Sequence, residues 1–201
     1  MIRAARRPTS ASRRTILFAT VAVVIIGLIV AVALANRTNV VSKSSQTLNE
    51  KAAIAVGQTA PDFSVSTNAG PFTLASVKTP VFLELFATWC PHCQRMVSTL
   101  DALHAEFGSK IAFVGVSASP YGIDSSSPEN QADVMQFVDK LHVTYPIAFD
   151  PDLAVAKAYL QGGYPTMVII GADKKIRYIK DGEIPAADLH KALASVLSSG
   201  S

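Results

Sequence analysis

Hydrophobic positions fall along this chain in three kinds of run. The first, Thr15–Ala35 (TILFATVAVVIIGLIVAVALA), carries no charge anywhere along its length. As a helix rising about 1.5 Å per residue it would be about 31 Å long, close to the hydrocarbon thickness of a bilayer. The second kind is short and of strand length: Val81–Ala87 (VFLELFA), Ile111–Val116 (IAFVGV) and Thr166–Ile170 (TMVII). Runs this apolar fit strands buried on both faces of a sheet. The third kind repeats at helical spacing. Met96, Val97, Leu100, Leu103 and Phe107 mark a helix over Pro91–Phe107, with Gly108 as its stop signal. Val134, Phe137, Val138 and Leu141 mark another over Ala132–Leu141, and Leu189, Leu193 and Leu197 a closing one over Ala186–Leu197.

Shorter signals fill the gaps. Phe63–Ser66 and Phe72–Leu74 read as two strands around a turn at Asn68-Ala69-Gly70. Pro146–Phe149 reads as a strand and Asp152–Leu160 as a helix capped by Asp150 or Asp152. Lys175–Lys180 pairs with Thr166–Ile170 as a hairpin through Gly171-Ala172-Asp173, whereas Ser117–Asn130, rich in Ser, Pro and Gly, reads as a loop. Strands alternating with helices make an α/β fold, and the late hairpin makes its central sheet mixed, flanked by helices. There is no internal repeat.

The 201 residues suit one domain plus an appendage, and 49% hydrophobic residues are ample for its core. The formal charge of +3 is misleading as an average. Arg3, Arg6, Arg7, Arg13 and Arg14 precede the long apolar run with no acid among them, and the remainder is slightly acidic. No basic patch points to nucleic acid. By the positive-inside rule the arginines hold residues 1–14 in the cytoplasm, so Thr15–Ala35 is read as a single transmembrane anchor. Ala33-Leu34-Ala35 resembles a signal-peptide cleavage site, but the run exceeds the usual apolar region of a signal peptide. Either reading exports the rest of the chain, which divides into a polar linker, 36–53, and a domain at 54–201. Asn36-Arg37-Thr38 matches a glycosylation triplet of a kind that arises often by chance.

Two cysteines stand three positions apart, in Trp89-Cys90-Pro91-His92-Cys93. So short a loop gains little chain-entropy stabilisation from a disulfide, which makes the pair reactive rather than structural. Cys90 falls at the end of a predicted strand and the start of a predicted helix. Unpaired N–H groups and the positive end of the helix dipole stabilise a thiolate there, and the thiolate is the nucleophile. Pro91 suits a first helical turn, and His92 adds a hydrogen-bonding or positive neighbour. Cys90 is therefore the attacking thiol and Cys93 the resolving thiol of a disulfide exchange. A stable disulfide or half of a zinc site is the competing reading, but no second Cys or Cys/His pair completes a zinc site. His104, His142 and His190 lack partners at metal-ligand spacing, so no metal and no cofactor beyond the Cys90–Cys93 couple is expected.

These residues resemble the active-site strand and helix of thioredoxin-like proteins. With the N-terminal anchor and the opening Ala60-Pro61-Asp62-Phe63, the chain resembles the TlpA/ResA-like family of membrane-bound, exported thioredoxins over about 56–197. The resemblance implies a thioredoxin-like fold and exchange with protein thiols and disulfides. It also implies a membrane electron-donor or electron-acceptor protein as a partner. It assigns to Pro165, in Gly163-Tyr164-Pro165-Thr166, the cis proline beside the cysteines, with Tyr164, Pro165 and Thr166 lining the substrate edge. An ordinary trans proline is the alternative. Glu84, the one charge in Val81–Ala87, takes the place of the family's buried acid and so accepts the proton of Cys93, unless it points to a solvated sheet edge. Trp89 packs beside Cys90. Pro91-His92 departs from reducing members and resembles strongly oxidising ones, so the direction of electron flow stays open. A segment inserted near Ala118–Leu141 is a candidate selector of partners. Two other functions compete. A peroxiredoxin-like peroxidase shares Ala-Pro-Asp-Phe but needs a Pro-x-x-x-Thr-x-x-Cys arrangement that is absent, and a copper-binding module would use the two thiolates.

Overall fold

The computed structural model describes residues 54–198, together with Ile26 and Ala31, which are helical. The chain divides into two units, Met1–Lys43 and Ser44–Ser201, and every element below belongs to the second. The anchor expected at Thr15–Ala35 otherwise lies outside the described residues, as do the basic segment and the linker. No helix among the described residues is long and apolar enough to cross a membrane.

Seven strands among the described residues form one mixed sheet in the order β2-β1-β5-β4-β3-β6-β7. The strands are β1 (Ser64–Thr67), β2 (Gly70–Thr73), β3 (Val81–Phe86), β4 (Ala112–Ser117), β5 (Ile147–Phe149), β6 (Thr166–Ile170) and β7 (Ile176–Asp181). The helices are α1 (Pro91–Phe107), α2 (Gln131–Leu141), α3 (Ala154–Tyr159) and α4 (Ala186–Ser198). β3 pairs parallel with β4 and antiparallel with β6, so it sits at the centre, and all six of its residues are buried. The expected late hairpin is β6–β7, paired antiparallel.

Side chains alternate along each strand, so β3 feeds two cores. Phe82 and Phe86 pack under α1, α2 and α4 with Met96, Leu100, Phe137, Leu189 and Leu193. Val81, Leu83 and Leu85 face the other way, toward α3 and the N-terminal β-hairpin, with Phe63, Leu74, Val155 and Tyr159. Glu84 lies between Phe82 and Phe86 in this alternation and therefore belongs to the face covered by α1.

Two element starts differ by two residues from the sequence reading. β2 starts at Gly70, which adopts φ of 121°, and its register Thr67↔Gly70 leaves only Asn68-Ala69 in the hairpin loop. α3 starts at Ala154 rather than Asp152, because the Asp150 carboxylate accepts from the amides of Ala154, Val155 and Ala156 and fixes the helix start there.

Gly115 of β4 lies opposite Glu84 in the register. A Cβ at Gly115 would come within 2.6 Å of Ile147 Cδ1, 3.0 Å of the Tyr145 ring and 3.5 Å of Glu84 Oε2. The missing side chain is thus space that the Ile147 and Tyr145 side chains use. Gly115→Val is predicted to overpack this layer at a cost of about 1–3 kcal/mol. Urea denaturation of the purified domain checks this, and an unchanged midpoint would contradict it.

Candidate active site

Cys90 is the N-cap residue of α1, with Pro91 in the first helical turn. Its amide donates to Ala87 O at 3.0 Å, closing the turn that carries the chain from β3 into the helix. The residue is 4% exposed, Cys93 is 0% exposed, and both are free thiols. The two sulfurs are unlike in acidity. A hydrogen bond from the Cys93 thiol, the main cause, lowers the Cys90 pKa to about 6, against burial, with help from the backbone amides of Cys93 and His92 and the charge of His92. Burial, the hydrogen bond to Cys90 and the charge of Glu84 push Cys93 far above the ordinary thiol range. One sulfur is thus a thiolate at neutral pH and the other holds its proton.

Glu84 is 1% exposed, which rules out a solvated sheet edge. The Tyr145 hydroxyl donates to its Oε2 at 2.7 Å. Burial raises its pKa to about 7, with the Tyr145 bond opposing and the nearby Cys90 charge adding to the rise. Met167 of β6 flanks it on the other side.

The Tyr164–Pro165 peptide is cis. The Tyr164 carbonyl lies 3.7 Å from Cys90 Sγ, and its hydroxyl donates to Ala118 O at 2.5 Å. Pro165 is buried. Thr166, placed by the resemblance at the substrate edge, is 0% exposed. Its hydroxyl donates to Gly163 O at 2.8 Å and accepts from the Gln161 amide at 3.2 Å. Its backbone lies in register between Leu85 and Asp181. Thr166 therefore braces the turn that presents Tyr164, and its side chain is turned away from the surface. Trp89 donates from Nε1 to Ser119 Oγ at 2.9 Å and meets the Tyr164 ring edge-on at 6.1 Å.

His92 is exposed and is drawn away from an independent role beside Cys90. Its Nδ1 lies 2.5 Å from Glu183 Oε1. Arg95 donates to the same oxygen from Nε at 2.9 Å and also from Nη2. These bonds, Arg95 first and His92 second, hold the Glu183 carboxyl below its usual range. His104 is half-buried against the rings of Phe113 and Tyr145. His190 pairs with Glu106 at 2.9 Å. Among the described residues no group of three or more His, Cys, Asp and Glu side chains is placed to hold a metal ion.

Three residues near the cysteines escaped the sequence reading. Tyr145 was signalled only indirectly, by a glycine inside an apolar strand. Glu183 follows β7 and lies ninety-one positions from His92, and nothing in the sequence joins them. Glu129 sits in a polar loop where an acid ordinarily faces water, yet it is buried.

A four-helix, mixed-sheet domain with a buried acid beneath a Cys-x-x-Cys helix start and a cis proline beside it is a thioredoxin-like α/β protein, and it is an oxidoreductase. Residues 55–196 match the Redoxin family model. The chain is 31% identical over 152 residues to the thiol-disulfide oxidoreductase ResA of Geobacillus thermodenitrificans, covering 73% of this chain and 81% of that protein. It is 30% identical over 151 residues to the thioredoxin-like protein YneN of Bacillus subtilis, covering 74% of this chain and 85% of that one. A solved thiol:disulfide interchange protein of the thioredoxin family from Chlorobium tepidum superposes with a TM-score of 0.55 at 26% identity, over 72% of this chain and 99% of that structure. The chain belongs to the Redoxin family, in its TlpA/ResA-like thioredoxin-fold branch.

The raised pKa of Glu84 carries a stability consequence. Its folded pKa of about 7 lies above the ordinary 4.5, so the folded state holds the proton more tightly than the unfolded chain. The contribution of Glu84 to stability is therefore greatest below pH 4.5, falls as pH rises from there to about 7, and is flat above. Glu84→Gln keeps an acceptor for Tyr145 and removes this loss. It is predicted to stabilise the reduced domain by about 3 kcal/mol at alkaline pH and by little in acid. Thermal denaturation across that pH range checks this; an equal shift at both ends would contradict it.

Proposed function

We propose that this chain is an extracytoplasmic, membrane-tethered reductase of protein disulfides, working through Cys90, Cys93 and Glu84. The observation that carries this reading is the unequal acidity of two adjacent thiols at one helix start. The Cys90 thiolate attacks a substrate disulfide, forming a Cys90–substrate disulfide and releasing one substrate thiolate, which takes a proton from solvent. Cys93 then gives its proton to the Glu84 carboxylate, and its sulfur attacks Cys90 Sγ. The second substrate thiolate leaves, two electrons have passed to the substrate, and the Cys90–Cys93 disulfide remains. A dithiol donor protein must reduce that disulfide for the next turnover. A substrate strand docks along Tyr164-Pro165, where the Tyr164 carbonyl adjoins the attacking sulfur and main-chain pairing can align the target bond.

Two observations favour reduction over oxidation. A Cys90 pKa of about 6 lies nearer the thioredoxin value, about 7, than the DsbA value, about 3.5. His92, whose place in the motif favours an oxidant, is engaged by Glu183. Export rests on the arginine-flanked apolar run at Thr15–Ala35.

Cys90→Ser is predicted to abolish reduction of a protein disulfide, and Cys93→Ser to accumulate mixed disulfides seen as adducts on non-reducing gels. Activity surviving Cys90→Ser would sink the mechanism. The potential of the couple, measured against glutathione, is predicted nearer about −270 mV than about −120 mV. A value at the upper end would reverse the direction while leaving the residue roles intact.

A further inference from the structure

A buried acid that the exchange does not use is Glu129. It lies at the end of the arm Ala118–Pro128, which joins β4 to α2. The arm is folded upon itself: Tyr121 and Pro128 form a β-bridge, and the Asp124 carboxylate accepts from the amides of Ser126 and Ser127 at 2.9 and 2.8 Å. Immediately after Glu129, the capping box of α2 fixes the chain, with the Asn130 side chain accepting from the amides of Ala132 and Asp133. Glu129 itself is 9% exposed. Its Oε1 accepts from Thr88 Oγ1 at 3.0 Å and from Ser117 Oγ at 2.9 Å. Thr88 belongs to the turn that carries Cys90, and Ser117 ends β4. One carboxyl oxygen therefore joins the arm to the reactive turn and to the end of β4.

The arm in turn holds the two aromatic side chains that flank Cys90. Ser119 accepts from the Trp89 indole, and the Ala118 carbonyl accepts from the Tyr164 hydroxyl. Ser119 also donates to Tyr121 O at 2.8 Å, which ties the anchor of Trp89 into the fold of the arm. The second oxygen of Glu129, Oε2, is buried and has no hydrogen-bond partner. Burial raises the Glu129 pKa to about 7, with the bonds from Ser117 and Thr88 opposing the rise.

We propose that Glu129 is a positioning residue for substrate docking: by clamping the arm to Thr88 and Ser117 it sets the Trp89–Tyr164 rim against which an extended protein substrate lies. This rests on the reading of Tyr164-Pro165 as the docking edge. Glu129 touches neither sulfur and takes no part in proton transfer from Cys93. Its effect falls on partners large enough to use the rim, and small disulfides reach Cys90 without it.

The test compares insulin, a protein disulfide, with oxidised glutathione, using the full-length protein. Glu129→Ala is expected to raise KM for insulin about tenfold, to leave kcat within about twofold, and to leave the glutathione rate within about twofold. Glu129→Gln retains an acceptor for Thr88 and Ser117 and is expected to restore most of the KM. Ser119→Ala, which cuts the link to Trp89 while leaving the clamp in place, is expected to raise KM for insulin in the same direction. It carries the test if Glu129→Ala does not fold. Trp89→Ala separates the two readings. If it raises KM for insulin while folded Glu129→Ala does not, the assignment of Glu129 is overturned and the docking edge stands. If Trp89→Ala leaves KM unchanged, the docking edge falls and the Glu129 proposal with it. Equal losses toward insulin and glutathione in Glu129→Ala would also overturn the proposal.

Discussion

The placing of Cys90 at the N-cap position of α1 and of Cys93 one turn further in, under the sheet, is the constraint on which the rest of the site depends. It lets the Cys93 thiol favour a thiolate at Cys90. The first sulfur lies at backbone amides and a positive dipole end; the second lies in the core cluster that includes Phe86 and Met96 and feels the charge of Glu84. A thiolate at Cys93 is disfavoured by burial and by a nearby carboxylate, so the proton stays there and is shared with Cys90. The same geometry makes attack and resolution distinct steps on distinct atoms. It also explains why an acid belongs beneath Cys93: the proton that makes Cys90 nucleophilic must leave before Cys93 can become one.

Glu84 can do this only because its surroundings hold it between charged and neutral forms. Burial alone would keep it protonated, and the Tyr145 hydroxyl at 2.7 Å offsets part of that penalty. The Tyr145 ring in turn needs the space left open at Gly115. A chain of small steric facts in β4 and the approach to β5 thus sets the acidity of a group in β3. On the outer side, Glu183 and Arg95 engage His92, so the residue most suggestive of an oxidant in the sequence sits in a charge cluster of mixed sign. Surface pairs of this kind are weak individually and are screened by salt. The main setting of Cys90 therefore comes from the inner sulfur and not from His92.

Much of the fold is legible in the sequence because it rests on local signals. The uniform burial of VFLELF, the helical stripe from Met96 to Phe107 and the Gly171-Ala172-Asp173 turn each specify their element without reference to the rest. The helix start at Cys90 is legible for the same reason, since Pro91 marks the first turn. Boundaries slipped where a side chain decided them at a distance, as when Asp150 fixed the start of α3. The partners of the site were opaque because they meet only through topology. Tyr145, Glu129 and Glu183 come from a pre-strand segment, a polar loop and a post-strand turn. No periodicity reports which of these faces a cysteine. Thr166 shows the converse: a position adjacent to the docking edge in sequence turns its side chain inward once the strand alternation is imposed.

Attack, resolution and proton transfer all require that the reduced protein hold one thiolate and one thiol in contact. Thiolate absorbance near 240 nm, followed against pH in the reduced domain, measures it directly. A single sulfur ionising with a midpoint of about pH 6, and no second ionisation through the ordinary thiol range, is the expected result. Two thiols titrating together near about pH 8.5, as in an unstructured peptide, would contradict the account.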